Sequence, residues 1–394
     1  MIYYNEEELR NDRNVNFGRP YQQCVKSIMD TIADPDINFD GDGTSNYYYQ
    51  YKEQEKKIDH SRKEMQRILE EMIEKIKSSG KGKAYDCITG VSGGVDSTYL
   101  ALQAKKFGLR PLIVHFDNGW NSELAVKNIQ NIISKLGFNL YTLVVDWNEF
   151  KDIQLSYFKA SVVDIEAVTD HAIITTMYKL ALKHDIKYIL SGTNIVTEAI
   201  LPRHWIFNKV DHKNLLDIHD KFGTRPLKTF PLFSTVLKKK VLWKGIETLE
   251  LLNYMDYNKK IVKEEIVREL NWRDYGGKHY ESVFTRFYQG YILPAKFHID
   301  KRKAHLSNLI FSGQITKEEA VSELEKPIYE KSQMEADYTF VLKKLGFTEI
   351  AFDEYIKAPR REHAEFKMEK PFFDEYSALK PIKPLVDIFT RIIR

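Results

Sequence analysis

The chain has 394 residues, with 59 lysine and arginine residues against 56 aspartate and glutamate residues, giving a formal net charge of +3. This length suffices for an α/β domain together with a second domain. The near-neutral charge weakly disfavours a nucleic-acid substrate, and no apolar run reaches membrane-spanning length. With two cysteines and no N-terminal secretion signal, the sequence favours a reducing, cytoplasmic location.

Residues 1–60 form the first part of the chain, and we expect an irregular segment there. Turn-forming residues lie between Pro35 and Gly43, and a run of tyrosines follows at 46–51. We interpret this run as a loop that packs its rings on the next domain. A helical period then covers 53–77, and the glycine-rich stretch 78–82 ends it.

Residues 90–97 read Gly-Val-Ser-Gly-Gly-Val-Asp-Ser and separate an apolar strand at 85–89 from a helix at 98–106. Glycines let backbone N–H groups approach phosphate oxygens, and the start of a helix adds unpaired donors. The lysine of a Walker loop is missing, so this is another kind of phosphate loop, and the alternative is an ordinary tight turn. The candidates for phosphate binding are Ser92, Gly93, Gly94, Asp96 and Ser97. Asp96 is also a candidate magnesium ligand and catalytic residue.

Strands and helices alternate after this loop, which predicts a doubly wound, parallel α/β sheet. The further strands are expected at 111–116, 140–145 and 187–190, and the helices at 122–136 and 167–183. Ligands bind beyond the carboxyl ends of such strands. Asp117 and Asp146 each follow a predicted strand. For either residue, ligand binding and capping of the following segment are equally compatible with the pattern. Asp117 is a candidate nucleotide ligand.

The fourth strand ends in Ser-Gly-Thr-Asn at 191–194. In a doubly wound sheet this end should lie close to the phosphate loop, so Gly192 and Thr193 are candidates for contacting the nucleotide. Glu198 is a candidate magnesium ligand and catalytic residue. Its alternative role is that of a first-turn carboxylate favoured by the helix dipole.

The pattern becomes mainly helical from residue 236, which divides the chain into 1–60, 61–235 and 236–394. A Gly-Gly-Lys-His stretch contains Lys278, and Lys301 and Arg302 stand at a helix start, where cations oppose the dipole. These three are candidate catalytic contacts to a diphosphate; the alternative is a solvated charged face. Thr316 and Glu319 predict a capping box. The helices expected here are 237–251, 260–270, 301–311, 317–325 and 334–345.

The phosphate loop resembles that of the PP-loop ATP pyrophosphatases, which split ATP between the α and β phosphates. Over most of its length the chain resembles the N-acetyl sugar amidotransferase family of bacterial surface polysaccharide and O-antigen biosynthesis. The resemblance implies ATP-dependent conversion of an acetamido group on a nucleotide-linked sugar into an acetamidino group, through an adenylated intermediate and with magnesium. Ammonia would come from a glutaminase and an ammonia-channelling partner resembling the imidazole glycerol phosphate synthase pair. The segments that carry the resemblance lie at 25–40, 43, 46, 92–97, 191–194, 205, 275–279 and 300–302.

The N-terminal segment departs from the family pattern. Family members commonly carry two Cys-x-x-Cys pairs that look like a zinc site, whereas the matching residues here are Cys24, Ser27, Ser45 and Tyr48. One thiolate does not make a tetrahedral zinc site, so we predict no structural zinc.

The sequence contains no convincing glutaminase nucleophile. Ile2 follows Met1, so no N-terminal cysteine is present, and Cys87 lies inside an apolar strand. Two other functions stay open: a tRNA-modifying PP-loop enzyme, and a non-catalytic nucleotide-binding subunit.

Overall fold

The central sheet consists of five parallel strands. The computed structural model describes residues 19–58, 61–277 and 280–369. Its strands are β1 (Cys87–Gly90), β2 (Pro111–Asp117), β3 (Asn139–Val144), β4 (Tyr188–Leu190) and β5 (Glu247–Leu249). They pair in the order β3-β2-β1-β4-β5. Because the chain moves outward in both directions from β1, the carboxyl ends of β1 and β4 lie side by side, where such sheets bind ligands.

Helices surround the sheet and form the C-terminal region. Up to β5 they are α1 (Asn46–Ile58), α2 (Arg62–Ser79), α3 (Val95–Lys106), α4 (Glu123–Leu136), α5 (Trp147–Ala160), α6 (Ala167–Lys183), α7 (Ile195–Glu198), α8 (His212–Phe222) and α9 (Thr235–Lys244). After β5 they are α10 (Lys259–Leu270), α11 (Val283–Phe287), α12 (Leu293–Phe297), α13 (Arg302–Phe311), α14 (Lys317–Glu325), α15 (Lys331–Leu345) and α16 (Glu349–Lys357). A π-helical turn, Tyr288–Ile292, joins α11 to α12. Among the described residues, no helix has the length and apolar character that a membrane crossing requires.

Alternating side chains of the strands bury both faces of the sheet. Cys87 packs with Leu100 of α3 and Ile129 of α4 on one face, whereas Ile88 packs with Met177 of α6 on the other. This alternation follows from the two-residue period of a strand. The predicted doubly wound α/β sheet is therefore confirmed.

Most predicted elements are present, but three were wrong. The single helix expected at 53–77 is two helices, α1 and α2, because Ser61 caps the start of α2 by accepting from the backbone N–H of Glu64. The tyrosine run at 46–51 is the first half of α1 and not a loop, because Tyr47 and Tyr51 stand one helical turn apart and are both buried. The helix expected at 237–251 ends at Gly245, which adopts a left-handed conformation. The chain then adds β5 to the sheet, so the sheet extends past residue 235, where we had placed a domain boundary.

A buried ion pair fastens the N-terminal segment to the C-terminal region. The Lys303 ammonium group lies 2.5 Å from Asp30 Oδ2, and both side chains are almost completely buried. The other oxygen of Asp30 accepts hydrogen bonds from the backbone N–H groups of Ile32 and Ala33. Satisfying both partners offsets the cost of burying the two charges.

The positions that match the zinc site of the resembled family lie in the same segment. Cys24 is fully buried, and the backbone N–H of Ser45 donates to its sulfur at 3.2 Å. Burial raises the pKa of the Cys24 thiol, but hydrogen bonds from Ser45 and Ser27 outweigh it, so the net shift is downward. The absence of zinc stays a prediction.

Candidate functional site

The phosphate loop lies at the carboxyl end of β1, as expected. The backbone N–H of Val91 still bonds to the carbonyl of Val114 on β2, and the chain then leaves the sheet. Gly93 has a φ of +87°, and a Cβ there would stand 2.7 Å from the Tyr275 hydroxyl. Gly94 is the N-cap of α3 and has no side chain to cap the helix. Glycine is therefore required at 93 for conformation and space.

Ser92 and Ser97 face each other across the loop. Their hydroxyl oxygens are 3.4 Å apart, and the Ser92 oxygen accepts from the backbone N–H of Gly94 at 3.2 Å. The Ser97 oxygen lies 3.4 Å from the backbone nitrogen of Ser92. Two hydroxyls and the start of α3 thus converge on one small turn, and phosphate binding there stays a prediction.

The end of β4 approaches this loop closely. A Cβ on Gly192 would lie 3.3 Å from the Asp96 carbonyl carbon and the Ser97 nitrogen, so the two strand ends are in contact as the parallel-sheet rule predicted. Asn194 donates to Asp96 Oδ1 at 3.3 Å and caps α7. Thr193 accepts a hydrogen bond from Ser191 at 2.9 Å within the same turn.

The negative charges of Asp96 and Glu198 both raise the pKa of Tyr257, a residue that the sequence analysis did not identify as part of the site. The Tyr257 hydroxyl donates to Asp96 Oδ1. Burial raises the pKa of Tyr257, and the negative charges of Asp96 and Glu198 raise it further, so both carboxylates lie near this phenol. Burial raises the pKa of Glu250, and the negative charge of Glu198 raises it further. Asp96 thus contacts Tyr257 directly, whereas the magnesium role of Asp96 and Glu198 stays a prediction.

The end of β2 contributes a second polar group. Asn121 donates to His115 Nε2 at 3.1 Å and to Asp117 Oδ1 at 3.2 Å. The Nδ1 of His115 then donates to the Val91 carbonyl at 3.2 Å, and burial lowers the pKa of this histidine. Asp117 also accepts from the backbone of Gly119 at 2.9 Å, so it shapes this turn. Its role as a nucleotide ligand stays a prediction.

Asp146, the other aspartate at a strand end, is the N-cap of α5. Its Oδ1 accepts from the backbone N–H groups of Asn148 and Glu149. The capping alternative is therefore confirmed for Asp146. The predicted capping box of Thr316 and Glu319 is also present.

A segment of the C-terminal region closes onto the phosphate loop. The indole of Trp272 and the hydroxyl of Tyr275 both donate to the Gly93 carbonyl, at 2.7 and 2.6 Å. Farther on, the Ser92 hydroxyl donates to Glu281 Oε1 at 3.3 Å. These residues were missed as site residues, although the neighbouring Gly-Gly-Lys-His stretch had been noted for its lysine.

Backbone pairing fixes the position of Glu281. Asn121 and Ser282 form an antiparallel bridge, the Ser122 N–H bonds to the Glu281 carbonyl, and the Val283 N–H bonds to the Trp120 carbonyl. The connection after β2 therefore holds Glu281 beside the loop that follows β1.

The three cations that the sequence predicted as site residues in the C-terminal region differ in their positions and contacts. Lys278 lies outside the described residues. Arg302 binds both carboxylate oxygens of Asp300 and the carbonyl of Lys326 near the end of α14. Arg302 pairs with Asp300 and Lys303 with Asp30, and the expected cost of cations at this helix start stays a prediction. Within the described parts of the chain, no hydrogen bond joins Lys301 or Arg302 to the phosphate loop, and their catalytic role stays a prediction.

The doubly wound parallel sheet and the Ser-Gly-Gly-Val-Asp-Ser turn after its central strand are similar to the arrangement in PP-loop proteins. Residues 281–380 match the family model described as LPS biosynthesis protein WbpG-like, C-terminal domain. The chain is therefore WbpG-like over this part, about a quarter of its length. The resemblance drawn from the sequence is confirmed to that extent.

Other proteins are more distantly similar. An uncharacterised protein of Methanocaldococcus jannaschii is 25% identical over 271 residues, covering 67% of this chain and 80% of its own length. The NMN synthetase of Francisella tularensis is 16% identical with a TM-score of 0.29, over 50% of this chain and 75% of its own. The NH3-dependent NAD synthetase of Campylobacter jejuni is 14% identical with a TM-score of 0.28, over 52% of this chain and 94% of its own. Likenesses at these TM-scores are too loose to indicate an activity.

Proposed function

We propose that the protein is an ATP-dependent amidotransferase of surface polysaccharide biosynthesis, such as O-antigen biosynthesis. It converts the acetamido group of a nucleotide-linked sugar into an acetamidino group. The observation that carries this proposal is the phosphate loop between β1 and α3, which has two serines and an aspartate but no Walker lysine, with Gly192 packed against it. The WbpG-like match of the C-terminal region supports a sugar substrate.

The reaction proceeds in two steps whose atoms balance. The acetamido oxygen attacks the α-phosphorus of ATP; a P–O bond forms, the bond to the β-phosphate breaks, and pyrophosphate leaves. Ammonia then adds to the carbon of the O-adenylyl imidate, the C–O bond breaks so that AMP departs with the former amide oxygen, and one proton is released to solvent as the amidinium forms. Adenylation is needed because an amide oxygen is otherwise a poor leaving group.

The loop residues would hold the departing pyrophosphate. Ser92 and Ser97 supply hydroxyl donors, and Gly93 and Gly94 let the backbone approach. Because the loop and the start of α3 are fixed by the sheet, these donors are preorganised for the charge that develops on the leaving group.

Asp96 and Glu198 are the residues that would hold a magnesium ion. Asp96 and Glu198 offer carboxylate oxygens, the ligand type that magnesium prefers, and both act on Tyr257. Tyr257 and Asn194 both donate to the same oxygen of Asp96, which orients its carboxylate. Magnesium bound there would neutralise phosphate charge during adenylation.

The ammonia would come from a separate glutaminase with an ammonia-conducting companion, resembling the imidazole glycerol phosphate synthase pair. The chain has two cysteines, Cys24 and Cys87, and both are buried. Burial raises the pKa of the Cys87 thiol, which disfavours the thiolate needed for attack on glutamine. Since the reaction uses ATP, we place it in the cytoplasm.

The test measures the nucleotide products with ammonium salt and a panel of acetamido nucleotide sugars. The expected result is AMP and pyrophosphate in equal amounts, formed only with an acceptor sugar. ADP as the main product would exclude the PP-loop chemistry. AMP formation with tRNA in place of the sugar would identify a tRNA-modifying enzyme, and ATP binding without AMP would identify a non-catalytic subunit.

A further inference from the structure

Helix α9 presents an exposed apolar face. Its inner side packs Leu237 and Val241 into a small cluster with Phe233. On the outside, Trp243 is 83% exposed, Leu242 is 79% exposed and Val236 is 63% exposed. Single exposed apolar residues are ordinary, but three large ones on one ten-residue helix mark an interaction surface.

Lysines are interleaved with these apolar residues. Val236, Lys239, Lys240 and Trp243 are spaced three or four residues apart and therefore share one face of the helix. The ammonium group of Lys244 lies 5.6 Å from the centre of the Trp243 ring. The sequence of α9 contains no acidic residue, so this face is both apolar and cationic.

The C-terminal end of α9 lies at the amino edge of the sheet. After Gly245 the chain enters β5, whose first residue, Glu247, pairs with Tyr188 at the start of β4. The end of α9 is therefore on the side opposite the phosphate loop, which follows the carboxyl end of β1.

Further lysines flank α9 at this edge. Lys83, Lys187 and Lys244 line a common cleft there. The acids at this edge are Asp185, which pairs with Lys83 at 2.8 Å and Lys244 at 3.7 Å, and Glu247, which lies 3.9 Å from Lys187. Lys239 and Lys240 add positive charge for which the described residues supply no ion pair.

We propose that the protein docks on an anionic phospholipid surface through the α9 face, defined as Val236, Lys239, Lys240 and Trp243. The tryptophan and Val236 enter the interfacial layer, and the lysines contact headgroup phosphates. A second copy of the chain is a poor occupant, because a two-fold contact would set lysines against lysines.

Vesicle binding of the full chain tests this proposal. We expect sedimentation with vesicles of phosphatidylcholine and phosphatidylglycerol, little with phosphatidylcholine alone, and release at high salt. Lys239→Gln combined with Lys240→Gln should lower partitioning roughly tenfold or more. The matched control is Lys63→Gln with Lys75→Gln, which removes the same charge from exposed positions on α2. Equal loss in both pairs would show nonspecific attraction and overturn the proposal.

Tryptophan fluorescence locates the contact. Trp120, Trp205 and Trp272 are buried and Trp147 is half-buried, so Trp243 is the tryptophan that a bilayer reaches. Anionic vesicles should shift its emission to the blue, lipids brominated in the acyl chain should quench it, and Trp243→Phe should abolish both effects. Unchanged quenching in that variant would contradict the proposal. Concentration-dependent dimerisation that Trp243→Ser abolishes, without vesicle binding by the parent, would instead assign the face to a second copy.

Discussion

The carboxylate of Glu281 accepts a hydrogen bond from the Ser92 hydroxyl at 3.3 Å, although the two residues are 189 positions apart in the sequence. A Cβ on Gly94 would lie 3.2 Å from the same carboxylate oxygen. A negative group therefore rests against the loop that we propose to bind phosphate. Nucleotide binding must either displace this carboxylate or neutralise it with a cation, because like charges at this distance repel.

Replacing Glu281 with glutamine should strengthen ATP binding in the absence of magnesium. The substitution removes the repulsive charge with little change in volume, and we expect a roughly tenfold lower Kd, or about 1.4 kcal/mol. Isothermal titration calorimetry with chelated metal measures it. Glu281→Asp keeps the charge and should bind ATP much as the parent does. Weaker ATP binding by the glutamine variant would show that the carboxylate does not oppose the phosphates.

The variant Asp96→Asn should retain the fold and lose most turnover. The amide oxygen of asparagine can still accept from Tyr257 and Asn194, so the melting temperature should change little. Loss of the charge removes a magnesium ligand, and we expect AMP formation to fall by roughly a hundredfold or more. Tyr257→Phe is the matched control because it removes one hydrogen bond and keeps the carboxylate. A near-parental rate for Asp96→Asn at saturating magnesium would show that Asp96 is not a magnesium ligand and only occupies the start of the helix.

Lys303→Met should destabilise the protein strongly. The substitution leaves the Asp30 carboxylate buried without its ammonium partner, and breaking such a pair costs about 3–5 kcal/mol. Urea unfolding measures the change. Lys326→Met breaks a surface pair with Glu323 at 2.6 Å and should cost at most about 1 kcal/mol. Adding Asp30→Asn to Lys303→Met should recover part of the loss. Equal effects of the two single lysine variants would contradict a special role for the buried pair.

The sequence predicted the parts of the site that depend on local pattern. The loop at 90–97 and the strand end at 191–194 follow short apolar strands, and the rules for parallel sheets place their ends together. Glu281, Trp272 and Tyr257 could not be assigned in this way, because their contacts with the loop join positions far apart in the chain and leave no periodic signal. Likewise, α1 depends on burial of Tyr47 and Tyr51 against distant partners such as Phe311, and local propensity does not reveal such packing.

His171 should make stability depend on pH in the acid range. Burial lowers its pKa from 6.5 to about 4, and its ring nitrogens lie 2.8 Å from the Lys209 carbonyl and 3.0 Å from the Phe233 nitrogen. The unfolded chain therefore takes up a proton before the folded chain does. The stabilisation is fully present above pH 6.5 and is lost as the pH falls towards 4, by roughly 3 kcal/mol.

Urea unfolding of the parent and His171→Gln across this range measures the effect. Glutamine does not titrate, so the variant should be less stable at neutral pH and should show a smaller loss between pH 6.5 and 4. The titratable carboxylates are the same in both proteins and cancel in the comparison. Parallel stability curves for the two proteins would mean that His171 titrates alike in the folded and unfolded states.

The purified chain should use ammonium salt but not glutamine as its nitrogen source. Both cysteines are buried, so neither is placed to attack glutamine. Free NH3 is the nucleophile and is a minor fraction of total ammonia near neutral pH, so amidine formation at fixed ammonium should rise as the pH rises. With a glutaminase and its ammonia-conducting companion added, glutamine should support turnover and this dependence should flatten, because NH3 then arrives directly. Amidine formation from glutamine by the purified chain alone would show that it contains its own nucleophile. Cys24→Ser would then test the thiol whose pKa is lowered by its hydrogen bonds to Ser45 and Ser27.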